Sequence, residues 1–321
     1  MSFKERVSRR KTGKRYLKKG SGHLFKSKVL RFEFMKEHRK EFSIEKMAKV
    51  LGVSRSGYYD FLEKPRSDRN LENERLKEAI KSIHEKSRGI YGSPRVYNDL
   101  KKQGERCSRR RVAKLMRENG IQAKMRKKWK RTTRADEKAE PSANHLNQNF
   151  MVEEPDRVWV SDITYIWTEE GWLYVAIVMD LFSRKIVGLC MGERLQTELV
   201  SKALKQAIFR RGIKKGLIHH SDRGSQYTSR EFKELTDRHK IKLSMSGIGH
   251  CYDNAVAESF FHTLKTEHTN FCKYRYREEA RNSIFEYVEV FYNRQRTHST
   301  IGYQSPEAFE NCWRSGIGDV A

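Results

Sequence analysis

Long apolar runs are missing from this 321-residue chain: the longest uninterrupted one, Trp172 to Met179, is 8 residues. A membrane-spanning helix needs about 20, so no span is expected and the segment reads as a buried strand. No apolar stretch follows the basic start MSFKERVSRRKTGKRYLKKG, so no secretory leader is expected. Cysteine is scarce, with 5 in all (Cys107, Cys190, Cys251, Cys272, Cys312), and no two form a C-x-x-C pair. An odd, scattered set argues against a disulfide scaffold and a zinc ribbon. The G-x-x-x-x-G-K-[ST] loop is absent, and with it any sign of nucleoside triphosphate chemistry. Neither an internal repeat nor sustained heptads occur.

Acidic residues are scarce in one half only. Residues 1–150 hold 43 Lys+Arg against 18 Asp+Glu, a net +25, whereas residues 151–321 hold 24 and 23, a net +1. The basic half is composed to meet a polyanion, and the aromatic, β-branched second half is composed as an ordinary globular domain. At about 150 residues per domain the chain holds two or three.

In FSIEKMAKVLGVSRSGYYDFLEK (42–64), Ile44, Met47, Ala48 and Leu51 recur at helical spacing, Gly52 breaks the helix and Ser54 caps the next. That pattern predicts a helix-turn-helix, with a plain helical hairpin as the alternative. A second helical unit runs from Leu76 to Lys130, with Ser93 and Pro94 as cap and first-turn proline and Ser108 capping a helix that ends at Gly120. In SRRRVAKLMREN, Val112, Leu115 and Met116 form a narrow apolar stripe, and Arg109, Arg110, Arg111, Lys114 and Arg117 cover the remainder. Solvated faces usually mix charges; this one carries a single acid, Glu118, and is expected to lie on DNA phosphates. KMRKKWKR (124–131) extends the basic surface, and 132–150 reads as a linker.

From Val158 the pattern changes. Segments 157–167, 171–183 and 185–192 are strand-like with short turns, an antiparallel meander. Helix is predicted for 196–211 with Thr197 near its cap, strand for 217–222, helix for 229–240, strand for 241–246 and helix for 253–268. The order βββαβαβα is that of the ribonuclease H fold. Asp162 lies inside the first strand, Asp222 ends the fourth, and Glu258 sits in the last helix with Asn254 and Lys265 on nearly its own face and Val256, Phe260 and Leu264 opposite. Carboxylates that converge repel one another unless a cation joins them, and hard oxygen ligands select Mg²⁺ or Mn²⁺. Asp180, which ends the second strand, competes for the same role, and spacing alone does not separate it from Asp162.

The segments WVSDITYI (159–166), DLFSRKIVG (180–188), HSDRGSQY (220–227), NAVAESFFHTLK (254–265) and YNRQRTHSTIGYQSPEAF (292–309) resemble the DDE transposases, specifically the OrfB type of the bacterial insertion-sequence-three family. Their catalytic core is of the retroviral integrase type. Between Asp222 and Glu258 lie 35 residues, the spacing of the D-35-E signature, and 50–61 and 72–131 resemble the region before the family's core. The resemblance implies an α-helical helix-turn-helix N-terminal region followed by an α/β ribonuclease H-like catalytic domain. Its parts are 1–70, a second DNA-binding module over 71–131, a linker over 132–150 and the catalytic domain over 151–321.

It makes Asp162, Asp222 and Glu258 the catalytic and metal-holding triad, with Mg²⁺ or Mn²⁺, as two ions, and leaves Asp180 in support. Lys265 would meet a phosphate near the reacting DNA end, and Gly224 would let the backbone come close behind Asp222. Gln226 and Tyr227 either contact substrate or brace the loop. His219 and His220 are expected in packing or support, and Arg296 and His298 in structural pairing or DNA contact. The implied activity is 3′-end cleavage and strand transfer at element ends. A nuclease without strand transfer and a catalytically idle DNA-binding repressor are the competing readings. Implied partners are terminal-repeat and target DNA, further copies of the chain and an upstream OrfA-type product, in the cytoplasm on the nucleoid.

Overall fold

Helices make up the described part of the basic half. The computed structural model describes residues 28–63, 68–124, 152–247 and 254–316. Its first helices are α1 (Lys28–Glu37), α2 (Ile44–Leu51), α3 (Arg55–Glu63), α4 (Asp68–Lys86), α5 (Ser93–Lys102) and α6 (Arg109–Glu118). Two compact units emerge, Met1–Glu78 and Ala79–Ala321. Residues 1–22, the linker 132–150 and, apart from Lys124, the basic run 124–131 lie outside the described residues.

In the first unit the predicted turn forms. Gly52 takes the left-handed conformation (φ 64, ψ 42) and donates its N–H to the Ala48 carbonyl, a geometry that penalises any Cβ. Ser54 Oγ accepts the Gly57 N–H at 3.1 Å. Met47, Ala48 and Leu51 are buried with Met35 and Tyr58.

In the second unit, α6 starts as predicted: Ser108 Oγ accepts the Arg111 N–H at 3.2 Å. Val112, Leu115 and Met116 are buried, which leaves Arg109, Arg110, Lys114 and Arg117 exposed and Arg111 half-buried. The cap of α5 differs from expectation. Gly92, extended at φ −87 and ψ 176, holds the cap position and Ser93 is already helical, with Pro94 in the first turn, where its missing N–H leaves no bond unmade.

The predicted meander is β1 (Val158–Thr168), β2 (Gly171–Asp180) and β3 (Ile186–Gly192), followed by α7 (Thr197–Arg211), β4 (Ile218–Ser221), the short turn of helix α8 (Ser225–Thr228), α9 (Arg230–Arg238), β5 (Lys242–Met245) and α10 (Ala255–Glu267). Thr197 proves to be the first helical residue, and Gln196 at the cap makes no side-chain bond. The strands form one sheet in the order β3-β2-β1-β4-β5. β1 and β2 pair antiparallel, while β1 with β4 and β4 with β5 run parallel. That is the ribonuclease H-like arrangement expected.

One core packs α7 and α9 on the sheet, with Trp159, Ala176, Val178, Ala203, Leu204 and Phe232 at its centre. A Cβ on Gly188 would stand 2.2 Å from the Ala203 carbonyl oxygen, so the close approach of α7 to β3 requires glycine there. After α10 come α11 (Arg277–Glu286), a π-helical stretch (Tyr287–Tyr292) and α12 (Pro306–Arg314). Arg211, at the end of α7, ties α12 to the segment before β1: it forms a bidentate pair with Asp156 at 2.8 and 2.9 Å and also pairs with Glu310. The second helical unit is fastened to this C-terminal region as well. Arg88 forms a two-pronged pair with Glu286, and the Tyr91 hydroxyl accepts the Thr297 N–H at 2.7 Å and donates to the Gln295 carbonyl at 3.3 Å.

Candidate active site

Parallel pairing of β1 with β4 sets the site. Val160 is in register with His220, and two residues further along each chain stand Asp162 and Asp222. A step of two keeps a side chain on the same face of a strand, so continuing the register sets these carboxylates beside each other at the open end of the β1/β4 pair. Asp162 is half-buried and Asp222 exposed. Each holds itself through a local bond: Asp162 Oδ1 accepts the Ile163 N–H at 2.8 Å, and Asp222 Oδ1 accepts the Gly224 N–H at 3.0 Å. A Cβ on Gly224 would lie 3.0 Å from that same oxygen, which accounts for the glycine two residues after Asp222.

Helix α10 brings the third carboxylate. Asn254, at its start, donates to the Ser161 carbonyl at 3.2 Å, which pins the helix to the residue before Asp162. Its buried stripe is Ala257, Phe260, Phe261 and Leu264, one position round from the expected Val256, Phe260 and Leu264; Val256 is half-buried and Glu258 exposed. Glu258 and Asp222 both act on Asp162 as like charges. With burial as the largest cause and Asp222 next, they push the Asp162 carboxyl up to about 8, against the Ile163 N–H and the Lys265 ammonium. Asp222 is also raised, by desolvation against the Gly224 N–H. The three carboxylates and Lys265 therefore share one electrostatic neighbourhood, although among the described residues no three ligating side chains yet meet at one coordination point.

Asp180 is elsewhere. Fully buried, it accepts the Asp156 N–H at 2.8 Å, the Ser183 N–H at 2.9 Å and the Ser183 hydroxyl at 2.7 Å, and so organises the β2–β3 turn. His219 and His220 also support the frame. His219 Nε2 lies 2.7 Å from Ser161 Oγ and His220 Nδ1 2.9 Å from Ser244 Oγ, bonds that cross from β4 to both neighbours. Tyr227 braces the loop: it is buried and meets Phe232 edge to face at 5.5 Å. Burial, and then the charges of Asp162 and Asp222, raise its phenol well above the ordinary value. Arg296 and His298 are structural. Arg296 is buried on Glu267, with bonds of 2.6 and 2.7 Å, and His298 lies 3.3 Å from the Tyr292 hydroxyl.

The sequence pattern did not single out Glu267, which collects Arg296, the Tyr287 hydroxyl at 2.9 Å and Arg95 at 3.4 Å. It also passed over Tyr165, whose ring lies 5.0 Å from Lys265 Nζ. Aromatic residues at alternate positions of β1 were the available signal for Tyr165; Glu267 offered none, since its partners are distant in sequence.

Three family models describe this architecture: two for an integrase core domain match residues 152–251 and 239–306, and one for an HTH-like domain matches 71–129. The chain is 44% identical over 263 residues to the insertion element IS600 uncharacterized 31 kDa protein of Shigella sonnei, covering 82% of this chain and 97% of that protein. It is 38% identical over 284 residues to transposase InsF for insertion sequence IS3A of Escherichia coli K12, covering 88% and 99%. This chain is an IS3-family transposase. Among solved structures, this transposase is similar to a chain of a simian T-cell lymphotropic virus intasome, at 13% identity and a TM-score of 0.42 over 72% of this chain and 74% of that one. It is also similar to the catalytic core domain of BIV integrase, at 19% identity and a TM-score of 0.38 over 50% of this chain and 99% of that one.

Proposed function

We propose that Asp162, Asp222 and Glu258 are the catalytic residues of a DNA 3′-end cleavage and strand-transfer enzyme. The observation that carries this reading is the placement of Asp162 and Asp222 on adjoining parallel strands, with the helix of Glu258 pinned to the Ser161 carbonyl. The three carboxylates fit a hard divalent cation in composition and charge: burial first, and then repulsion from Asp222 and Glu258, hold Asp162 up to about 8, and a bound cation would offset both. Mg²⁺ or Mn²⁺, as two ions held by these residues, would supply Lewis-acid activation for in-line displacement at phosphorus.

The chain's own groups orient the DNA. Lys265, partly desolvated beside Asp162, meets a phosphate next to the reacting end. Gly224 lets the loop backbone close on Asp222. Arg109, Arg110, Arg111, Lys114 and Arg117 on α6 contact phosphates of the terminal repeat. Water as nucleophile cleaves the phosphodiester at the element end and frees its 3′-hydroxyl; that hydroxyl then attacks a target phosphodiester and displaces the target strand's own 3′-oxygen, which leaves as a hydroxyl. On this reading the protein works on the nucleoid in the cytoplasm, as a homo-oligomer on DNA and with an upstream OrfA-type product; among the described residues no helix is long and apolar enough to cross a membrane.

A strand-transfer assay with Mg²⁺ and oligonucleotides of candidate element ends tests the assignment. Asp162→Asn, Asp222→Asn and Glu258→Gln should each lower joining by about a hundredfold or more, as removal of one transition-state interaction does, with end binding retained. Asp180→Asn should still join. Normal joining by Asp162→Asn would overturn the triad, and cleavage without joining by the unmodified protein would leave a nuclease.

A further inference from the structure

The tip of the β1–β2 hairpin carries three large aromatic side chains that the core does not use. Tyr165 and Trp167 alternate onto one face of β1, and Trp172 stands opposite Trp167 in the register. They are 53%, 58% and 43% exposed. Trp172 meets both neighbours edge to face, at 4.9 Å from each ring. Cross-strand aromatic pairs steady a hairpin, yet an aromatic surface this open is of the kind that marks a binding site.

Its neighbour says what it binds. Lys265 Nζ lies over the Tyr165 ring at 5.0 Å and is attracted by the Asp162 carboxylate. One side chain therefore links the patch to the catalytic carboxylates. Asp162 lies on the other face of β1 by alternation, but β4 pairs with β1 only as far as Val160, so the edge between Asp162 and Tyr165 carries no β4 partner. Arg277 donates to the carbonyls of Glu170 and Trp172, which fixes the backbone that presents Trp172.

An aromatic face rimmed by an ammonium matches one ligand chemistry well, a nucleobase with its own phosphate. Bases inside a duplex are already stacked on their neighbours, so the occupant is an unpaired one. We propose that Tyr165, Trp167 and Trp172 form a stacking platform for unpaired bases of the DNA end, with Lys265 on the adjoining phosphate; this rests on the strand-transfer reading above. At about 3.3 Å per strand residue, the platform begins about 10 Å from Asp162 and reaches about 17 Å. At about 3.4 Å per stacked nucleotide, that is roughly three to five nucleotides from the scissile phosphate.

The test uses the full chain and three DNAs: a blunt element-end duplex, the same duplex with a short 3′ oligothymidine tail, and the same with an abasic tail. The unmodified protein should prefer the base-bearing tail to the abasic one by about tenfold, the range expected for stacking one base. The double variant Trp167→Ala/Trp172→Ala should lose that preference with blunt-duplex binding intact, and Trp167→Phe/Trp172→Phe should keep most of it. Equal binding of both tails by the unmodified protein overturns the platform, whether or not the alanine variant folds. A retained preference in a folded alanine variant overturns it too, as does a change in its sedimentation with the preference intact, which would make the patch an interface between copies. Failure of the strand-transfer reading shows separately, as absence of joining by the unmodified protein on blunt ends.

Discussion

Asp162 and Asp180 carry the same side chain on paired strands, and the fold gives them opposite environments. Three donors satisfy Asp180 in the interior, whereas Asp162 has a single backbone donor and two acidic neighbours. A buried carboxylate with its bonds complete has no capacity left for a ligand; one that is repelled and under-bonded does. His219 shows what burial does to a base. Desolvation, and then the neighbouring His220, hold its imidazole down to about 3, below its ordinary value near 6.5, so the fold keeps the neutral form. That contribution to stability is complete above about pH 6.5 and is lost as pH falls toward 3. Urea unfolding from pH 7 to pH 4 should therefore show a shallower acid loss for His219→Gln than for the unmodified protein. Parallel stability curves would show that His219 does not titrate on unfolding.

Elements were largely legible, because helix and strand periodicities are local. The meander, the parallel strands and the helices around them stand close to where alternation and 3.6-residue spacing predict. What local pattern missed is the geometry of packing: the cap at Gly92, the helical placement of Thr197, and the one-position rotation of the buried stripe on α10. Gly188 is such a case, for its sequence context says nothing of the Ala203 carbonyl against it. Gly188→Ala should destabilise the protein by about 3 kcal/mol, at the upper end of overpacking costs, since backbone must yield. At Gly192 the nearest obstacle to a Cβ is the Leu199 side-chain terminus at 3.1 Å, so Gly192→Ala should cost less than about 1 kcal/mol. Denaturation midpoints of the two variants decide this, and equal midpoints would refute the close approach at Gly188.

At the scale of the whole molecule, the charge division and the compact units do not coincide. The basic residues of α5 and α6 belong to the unit that holds the catalytic sheet, tied in by Arg88, Tyr91 and Arg95. DNA held on α6 would thus be held by the same body that carries Asp162, Asp222 and Glu258. Replacing Arg109, Arg110 and Arg111 with alanine should flatten the dependence of log K on log salt by about 0.9 for each phosphate that is no longer neutralised. An unchanged slope would remove α6 from the interface.

From sequence alone came the uneven charge, the element order and the spacing of Asp162, Asp222 and Glu258, since composition and periodicity are properties of neighbours along the chain. Only the tertiary structure decided which acids share one electrostatic neighbourhood, because the register of β1 against β4 and the Asn254 bond to β1 join residues far apart in sequence. It likewise assigned Asp180, His219 and Arg296 to the frame, and brought Lys265 onto Tyr165 beside an exposed pair of tryptophans.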